Sequence, residues 1–187
     1  MNTKNNQRFQ DNEKKIEECL VSMLKTQDIG LITVRSICQA ANINRSTFYS
    51  HYQDIYDLLD KLEKKMNARL IGQYDTVERN GSFFMTAEFF VPFLNFIKCN
   101  QSFYRATLNK RKSFPIETGF EPLWNTIVKP YSLHNGITEE EEMMYYFVFY
   151  QAGVTMCLKR WVDQGCQVPV EQICGYFLHC LANIEKQ

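Results

Sequence analysis

Asn44, Arg45, Ser46, Thr47, Tyr49, Ser50 and His51 lie almost consecutively within "NINRSTFYSHYQDIYDLL", residues 42–59. Amide, guanidinium, hydroxyl and imidazole groups at this density are donors and acceptors of the right reach for base edges and phosphate oxygens. They do not form a catalytic set, because no nucleophile–base pairing accompanies them. Phe48 and Tyr52 are the evident apolar anchors of this stretch. A helix so short and so polar is poorly supported by its own packing, so most of its side chains are available to a partner.

The chain before it supplies the element that would position these groups. Thr33 can cap a short helix through Ala41, with Val34, Ile37 and Ala40 inward. "AANIN" makes a tight turn, and Asn44 can cap a second short helix to His51. Two short helices across such a turn have helix-turn-helix spacing, in which the second helix enters the major groove. Between Arg35 and Gln53 there are two arginines and no acid. An ordinary polar surface helix would give the same local pattern.

The remaining chain reads as helical, with no alternating strand pattern, repeat or low-complexity tract. Ile16, Cys19, Leu20, Met23 and Leu24 mark a first amphipathic helix over about residues 9–26. Asp54 caps a fourth helix with Ile55, Leu58, Leu59, Leu62 and Met66 on one face, ending near Asn80-Gly81. The phenylalanine-rich run from Ser82 predicts buried helices, with Pro92 at a start or kink. A helical stretch over 115–131 follows. Thr138 to Glu141 reads as a capping box for a helix to Asp163, stopped by Gly165, and the last helix begins at Pro169. The expected fold is all-α with about nine helices. Three belong to the helix-turn-helix DNA-binding domain, residues 1–53, and the others to a second helical domain, residues 54–187.

Bulk properties narrow the function classes. The 187 residues carry 21 Lys and Arg against 21 Asp and Glu, so a nonspecific polyanion binder is disfavoured and any basic site is local. The N-terminus has no apolar signal core, and the longest apolar run, 143–158, is too short to span a bilayer. Seven cysteines without a CxxC pair read as free thiols in a cytoplasmic protein. Three scattered histidines and the glutamates at 139–142 make no metal-binding spacing, and no cofactor motif is present. The expectation is therefore no metal, no cofactor and no enzymatic activity.

"ITVRSICQAANINRSTFYSHYQDIYDLL" resembles the N-terminal DNA-binding domain of TetR/AcrR-type transcriptional regulators, a likeness spanning about residues 9–62. Asn42 stands where that pattern has glycine, and Ile55 where it has lysine. The resemblance implies Thr33 and His51 as phosphate contacts, with Arg35 beside them. It implies Asn44, Arg45, Ser46, Thr47, Tyr49 and Ser50 as base and phosphate readers. It also implies a homodimer, held by the last two helices, on a palindromic double-stranded DNA operator from which a small-molecule effector releases it. "FYQAGVTMCLKRWVDQGCQVPVEQI" is similar to a subgroup that includes the dihydroxyacetone-kinase regulator, which leaves control by a protein partner as the alternative.

Gly153, Val154, Cys157 and Trp161, with Ile173, Phe177, Leu178 and Leu181, extend apolar stripes suited to the dimer contact. The aromatic block Phe93, Phe96, Phe103, Tyr104, Trp124, Tyr131, Tyr146 and Tyr150 suits a cavity for an uncharged or weakly charged, flat or greasy effector. Arg105, Lys110, Arg111 and Lys112 are expected outside it.

Overall fold

A computed structural model of the chain describes residues 3–74, 83, 85–109 and 123–182, with side chains from residue 6 to residue 180 within those ranges. The described residues hold nine α-helices and no strand: α1 (Thr3–Met23), α2 (Val34–Ala41), α3 (Arg45–Tyr49), α4 (Ile55–Gly72), α5 (Ala87–Cys99), α6 (Gln101–Asn109), α7 (Lys129–His134), α8 (Glu140–Asp163) and α9 (Val170–Ala182). α4 ends at Gly72 and turns at Gln73 and Tyr74, whose amides reach the Leu70 and Ile71 carbonyls, so the helix stops short of the expected end near Asn80-Gly81. The loop cations Lys110, Arg111 and Lys112 and the start of the 115–131 stretch lie outside the described residues. No helix among the described residues is long and apolar enough to cross a membrane.

The chain divides into two compact units, residues 1–65 and 66–187. In the first, helical periodicity translates directly into burial. Ile16 and Leu20 of α1, Ile37 of α2, Phe48 of α3 and Leu58 and Leu59 of α4 are fully enclosed. On α2 the buried face is Ile37, Cys38 and Ala41; Val34 is half-buried and Ala40 exposed, one step round from the sequence expectation. Lys65 of α4 bridges Glu13 (3.0 Å) and Glu17 (2.6 Å) of α1. Glu17 also accepts the Tyr52 hydroxyl at 3.1 Å, which ties the chain after α3 to α1.

In the second unit α5 packs on α9, where the Phe90 and Phe177 rings meet edge to face at 5.4 Å. α6 packs on α8, and Arg105 donates to the Val162 carbonyl at 3.4 Å, so this cation is drawn inward instead of lying wholly outside. Pro92 sits inside α5. A π-helical turn, Trp124–Val128, leads into α7, with the Lys129 amide reaching back to the Trp124 carbonyl. The wider turn is suited to Pro130 just downstream, whose ring would crowd the Thr126 carbonyl in an α-helix. α8 starts at Glu140 with Glu139 as its cap residue and no side-chain cap bond, so the Thr138 capping box does not form. Three glutamates in its first turn favour the helix N-terminus electrostatically instead.

Candidate nucleic-acid interface

Two caps and one left-handed residue set the geometry of the α2–α3 pair. The Ser36 amide donates to Thr33 Oγ1 at 3.1 Å while the Thr33 amide donates to Ser36 Oγ at 3.0 Å, a reciprocal box that starts α2. Asn42 ends α2 at φ 52°, a conformation asparagine tolerates where the resembled pattern has glycine. Asn44 then caps α3.

The Asn44 cap fixes more than a helix start. Its Oδ1 accepts the Thr47 amide at 2.8 Å, the Thr47 hydroxyl at 2.8 Å and the Ser46 hydroxyl at 2.7 Å. A backbone N–H can only donate, so the oxygen faces the helix and the NH2 end takes no part in the cap. Both hydroxyl protons point at the same oxygen, and Ser46 and Thr47 are left with lone pairs to offer. The Ser50 hydroxyl is likewise turned onto the Thr47 carbonyl at 2.7 Å.

Around this cap, α3 separates inside from outside one residue at a time. Phe48 is fully buried, whereas Tyr49 is 56 % exposed. Asn44, Arg45, Ser46, Tyr49 and Ser50 are exposed together with Thr33 and Arg35, and Thr47 is half-buried. His51 is the exception among the residues singled out from the sequence. Its ring stacks on Phe9 with centroids 3.8 Å apart, and neither ring nitrogen has solvent or a hydrogen-bond partner among the described residues. In this conformation it presents no N–H to a phosphate. The imidazole pKa is pushed below its ordinary 6.5 by burial, against the pull of Glu13.

The start of α4 is closed by acids. Asp54 accepts the Tyr56 and Asp57 amides at 2.8 Å each, and Asp57 accepts the Gln53 amide at 2.8 Å. That last bond, then Lys61, hold the Asp57 carboxyl below its usual range. Ile55, where the resembled pattern has lysine, is buried.

In the second unit, a cavity of about 460 Å³ opens between Val128–Ile137 and Met143–Tyr150, with Met85 on its wall. Tyr131, Tyr146, Tyr150, Ser132 and Asn135 give it polar groups; Val128, Ile137, Met143 and Phe147 give it apolar ones; none of the described residues that line it is charged. Tyr146 and Tyr150 both line the cavity, and Trp124 lies behind the wall, edge to face with Phe147 at 5.8 Å. Phe93, Phe96, Phe103 and Tyr104 do not line this cavity. They belong to ring clusters of α5 and α6, with Phe103 and Tyr104 buried. Tyr131 of the same aromatic block lines the cavity too; Ser132 and Asn135 carried no periodic signal that could have marked them.

The stripes expected at a dimer contact split in two. Gly153 and Cys157 are exposed, and Val154 and Leu178 half-buried. Trp161, Ile173 and Phe177 are buried within their own chain, and Trp161 donates its indole N–H to the Val168 carbonyl at 2.9 Å. The Leu181 side chain lies outside the described residues. Exposed instead are Tyr145 (72 %), Phe149 (64 %) and Met156 of α8 and Tyr176 of α9. Their spacing along α8 follows the helix period, a signal hidden in a sequence where the inner face is just as apolar.

The profile of the TetR-type transcriptional regulator C-terminal region matches residues 86–181. The chain is 26 % identical over 105 residues to the uncharacterized HTH-type transcriptional regulator YxbF of Bacillus subtilis, a match covering 52 % of the chain and 27 % of that longer protein. Among solved structures it is similar to a TetR transcriptional regulator from Streptococcus agalactiae, with TM-score 0.68, 23 % identity and coverage of 96 % of this chain and 98 % of the other. It is also similar to the dihydroxyacetone kinase operon activator DhaS, with TM-score 0.60, 19 % identity and coverage of 93 % and 96 %. The structural likenesses establish the all-helical fold, and the profile, which covers half of the sequence, establishes that this chain belongs to the TetR-type transcriptional regulators.

Proposed function

We propose that the protein is a homodimeric, sequence-specific DNA-binding repressor that a small effector releases from a palindromic operator. The observation that carries this is α3: a helix whose only fully buried residue is Phe48 and whose remaining side chains offer Arg45, Tyr49 and the Asn44 cap to a partner. Residues 1–53 serve DNA recognition, with Thr33, Arg35 and Ser50 at the edge of the contact, and residues 54–187 serve dimerisation and effector binding. Arg45 suits the guanine edge, while Ser46 and Thr47, as acceptors, suit the amino groups of cytosine and adenine. Two copies would place their α3 helices in successive major grooves, about 34–36 Å apart.

The exposed apolar stripe of Tyr145, Phe149 and Met156 along α8, with Tyr176 exposed on α9, supports the second copy, because exposed apolar surface of this size marks interaction sites. The cavity between α7 and α8 supports a neutral effector with several hydroxyl or amide groups, since its described lining offers tyrosines, Ser132 and Asn135 and no charge. Effector binding there would favour a dimer geometry that fits DNA less well, with a coupling of about 1–3 kcal/mol.

Selection of duplexes from a random-sequence pool tests the reading. A palindromic consensus should emerge, and Arg45→Ala and Tyr49→Ala should each lower affinity about tenfold or more at matched salt with unchanged melting temperature. Wild-type affinity for both variants would overturn the assignment of α3. Sedimentation as a monomer at micromolar concentration would overturn the two-half-site arrangement.

A further inference from the structure

Among the described residues of the first unit, the His51 ring nitrogens are the buried side-chain polar atoms left without a hydrogen-bond partner. Neutral imidazole carries one N–H donor and one acceptor nitrogen, and here both are out of solvent with no partner among the described residues. Native proteins pair such groups almost without exception, so an orphaned ring beside an otherwise exposed helix calls for a reason. What holds it is stacking. Phe9 of α1 covers one side at 3.8 Å with the rings tilted by 31°, and Tyr52 lies at 5.9 Å with a tilt of 30°. Phe9 itself is 45 % exposed and belongs to the first turns of α1, so the cover is shallow.

Among the described residues, four charges face the ring. Glu13 and Glu17 of α1 would attract an imidazolium, but both are already taken by Lys65, and Glu17 also by the Tyr52 hydroxyl. Lys61 and Lys65 of α4 repel it. Protonation in place would leave two N–H groups and a charge without partners, and burial therefore wins. Outside this pocket the balance reverses. Lys61, which is exposed and also pairs with Asp57, donates to the His51 carbonyl at 3.0 Å, so a cation is fixed to the backbone of this residue. A phosphate arriving there would give the second N–H its acceptor.

We propose that Phe9 and His51 form a latch on the DNA-contacting element: with Phe9 seated the imidazole is neutral and hidden, and with Phe9 displaced it takes a proton from solvent and donates to a DNA phosphate beside Lys61. The phosphate half rests on the DNA-binding reading above, whereas the latch half does not. Operator binding is then coupled to proton uptake and to movement of the first turns of α1, and acid favours the bound state.

The test follows the imidazole signals of the full-length protein by NMR against pH, with His51→Gln identifying the His51 resonances among the three histidines. In the wild type His51 should titrate below the ordinary value, and Phe9→Ala should move it up. Phe9→Leu, which keeps apolar bulk without the ring, should move it part of the way and guards against an effect of local unfolding. With a duplex selected by the wild-type protein, affinity should fall as pH rises through the His51 titration, by up to about tenfold per pH unit for each protomer. That slope should be lost in His51→Gln, and Phe9→Ala should bind more tightly than the wild type at neutral pH. Ordinary titration of His51, or titration unmoved by Phe9→Ala, overturns the latch. Equal pH slopes for wild type and His51→Gln overturn the phosphate contact. Failure to select any duplex sinks the DNA-binding reading and the phosphate contact together, while the NMR titration still decides the latch.

Discussion

Phe48 and Tyr49 on α3, and Phe147 and Phe149 on α8, are two pairs of near-neighbour aromatics, each split between inside and outside. On α3 the split could be foreseen, because Phe48 stands among Asn44, Arg45, Ser46 and Thr47 and only one face of the helix can be apolar. On α8 it could not. Tyr145, Tyr146, Phe147, Phe149 and Tyr150 surround the helix, and nothing local says that Phe147 packs with Trp124 and Met143 while Phe149 stays exposed. Apolar periodicity reports burial only where a polar face supplies contrast. A helix apolar all round has several surfaces to satisfy: core, cavity and, on the reading above, a second copy.

The sharpest way to break this comparison is to truncate the two α3 neighbours separately. Phe48→Ala should cost about 3–5 kcal/mol by leaving a cavity in the first unit, whereas Tyr49→Ala should change stability by less than about 0.5 kcal/mol. Chemical denaturation of both variants measures the difference, and comparable losses would mean that Tyr49 is structural. The equivalent pair on α8 is Phe147→Ala, expected to destabilise by a similar amount, and Phe149→Glu, expected to leave the protomer folded and weaken the dimer by about 2 kcal/mol or more. Sedimentation equilibrium should therefore show monomers for Phe149→Glu at concentrations where the wild type is dimeric. A dimer of undiminished stability would place the second copy elsewhere.

A smaller effect is expected from the cap that links sequence to presentation. Asn44→Ala removes the acceptor of three hydrogen bonds and should lower stability by about 0.5–2 kcal/mol. Asn44→Asp keeps the acceptor, so it should retain the stability while adding a negative charge that weakens affinity for DNA. The gentlest change is with pH. Because the His51 pKa is lowered in the folded protein, the unfolded chain binds more protons below pH 6.5. The contribution is complete above pH 6.5 and is lost as pH falls through the folded value, so the melting temperature should decline with acid, and less so in Phe9→Ala. Thermal melts across that window decide it. A wild type and Phe9→Ala with parallel profiles would remove His51 as the cause.

Local chemistry was enough for part of this molecule. Thr33, Asn42, Asn44 and Asp54 announce where helices begin and end, because their side chains or backbone preferences act within three residues. With Ile16, Leu20, Ile37, Phe48, Leu58 and Leu59 at helical spacing, they determine the all-helical class and the α2–α3 pair. Other features belong to the tertiary structure alone. That His51 turns under Phe9, 42 residues earlier, depends on how α1 lies against the end of α3. That Tyr131, Ser132 and Asn135 share a cavity wall with Tyr146 and Tyr150 depends on the spacing of α7 and α8. That Trp161, Ile173 and Phe177 are core while Tyr145, Phe149 and Tyr176 are surface depends on which face of each helix its neighbours cover. A residue type fixes what a side chain can bond to; only the packed chain fixes what is within reach.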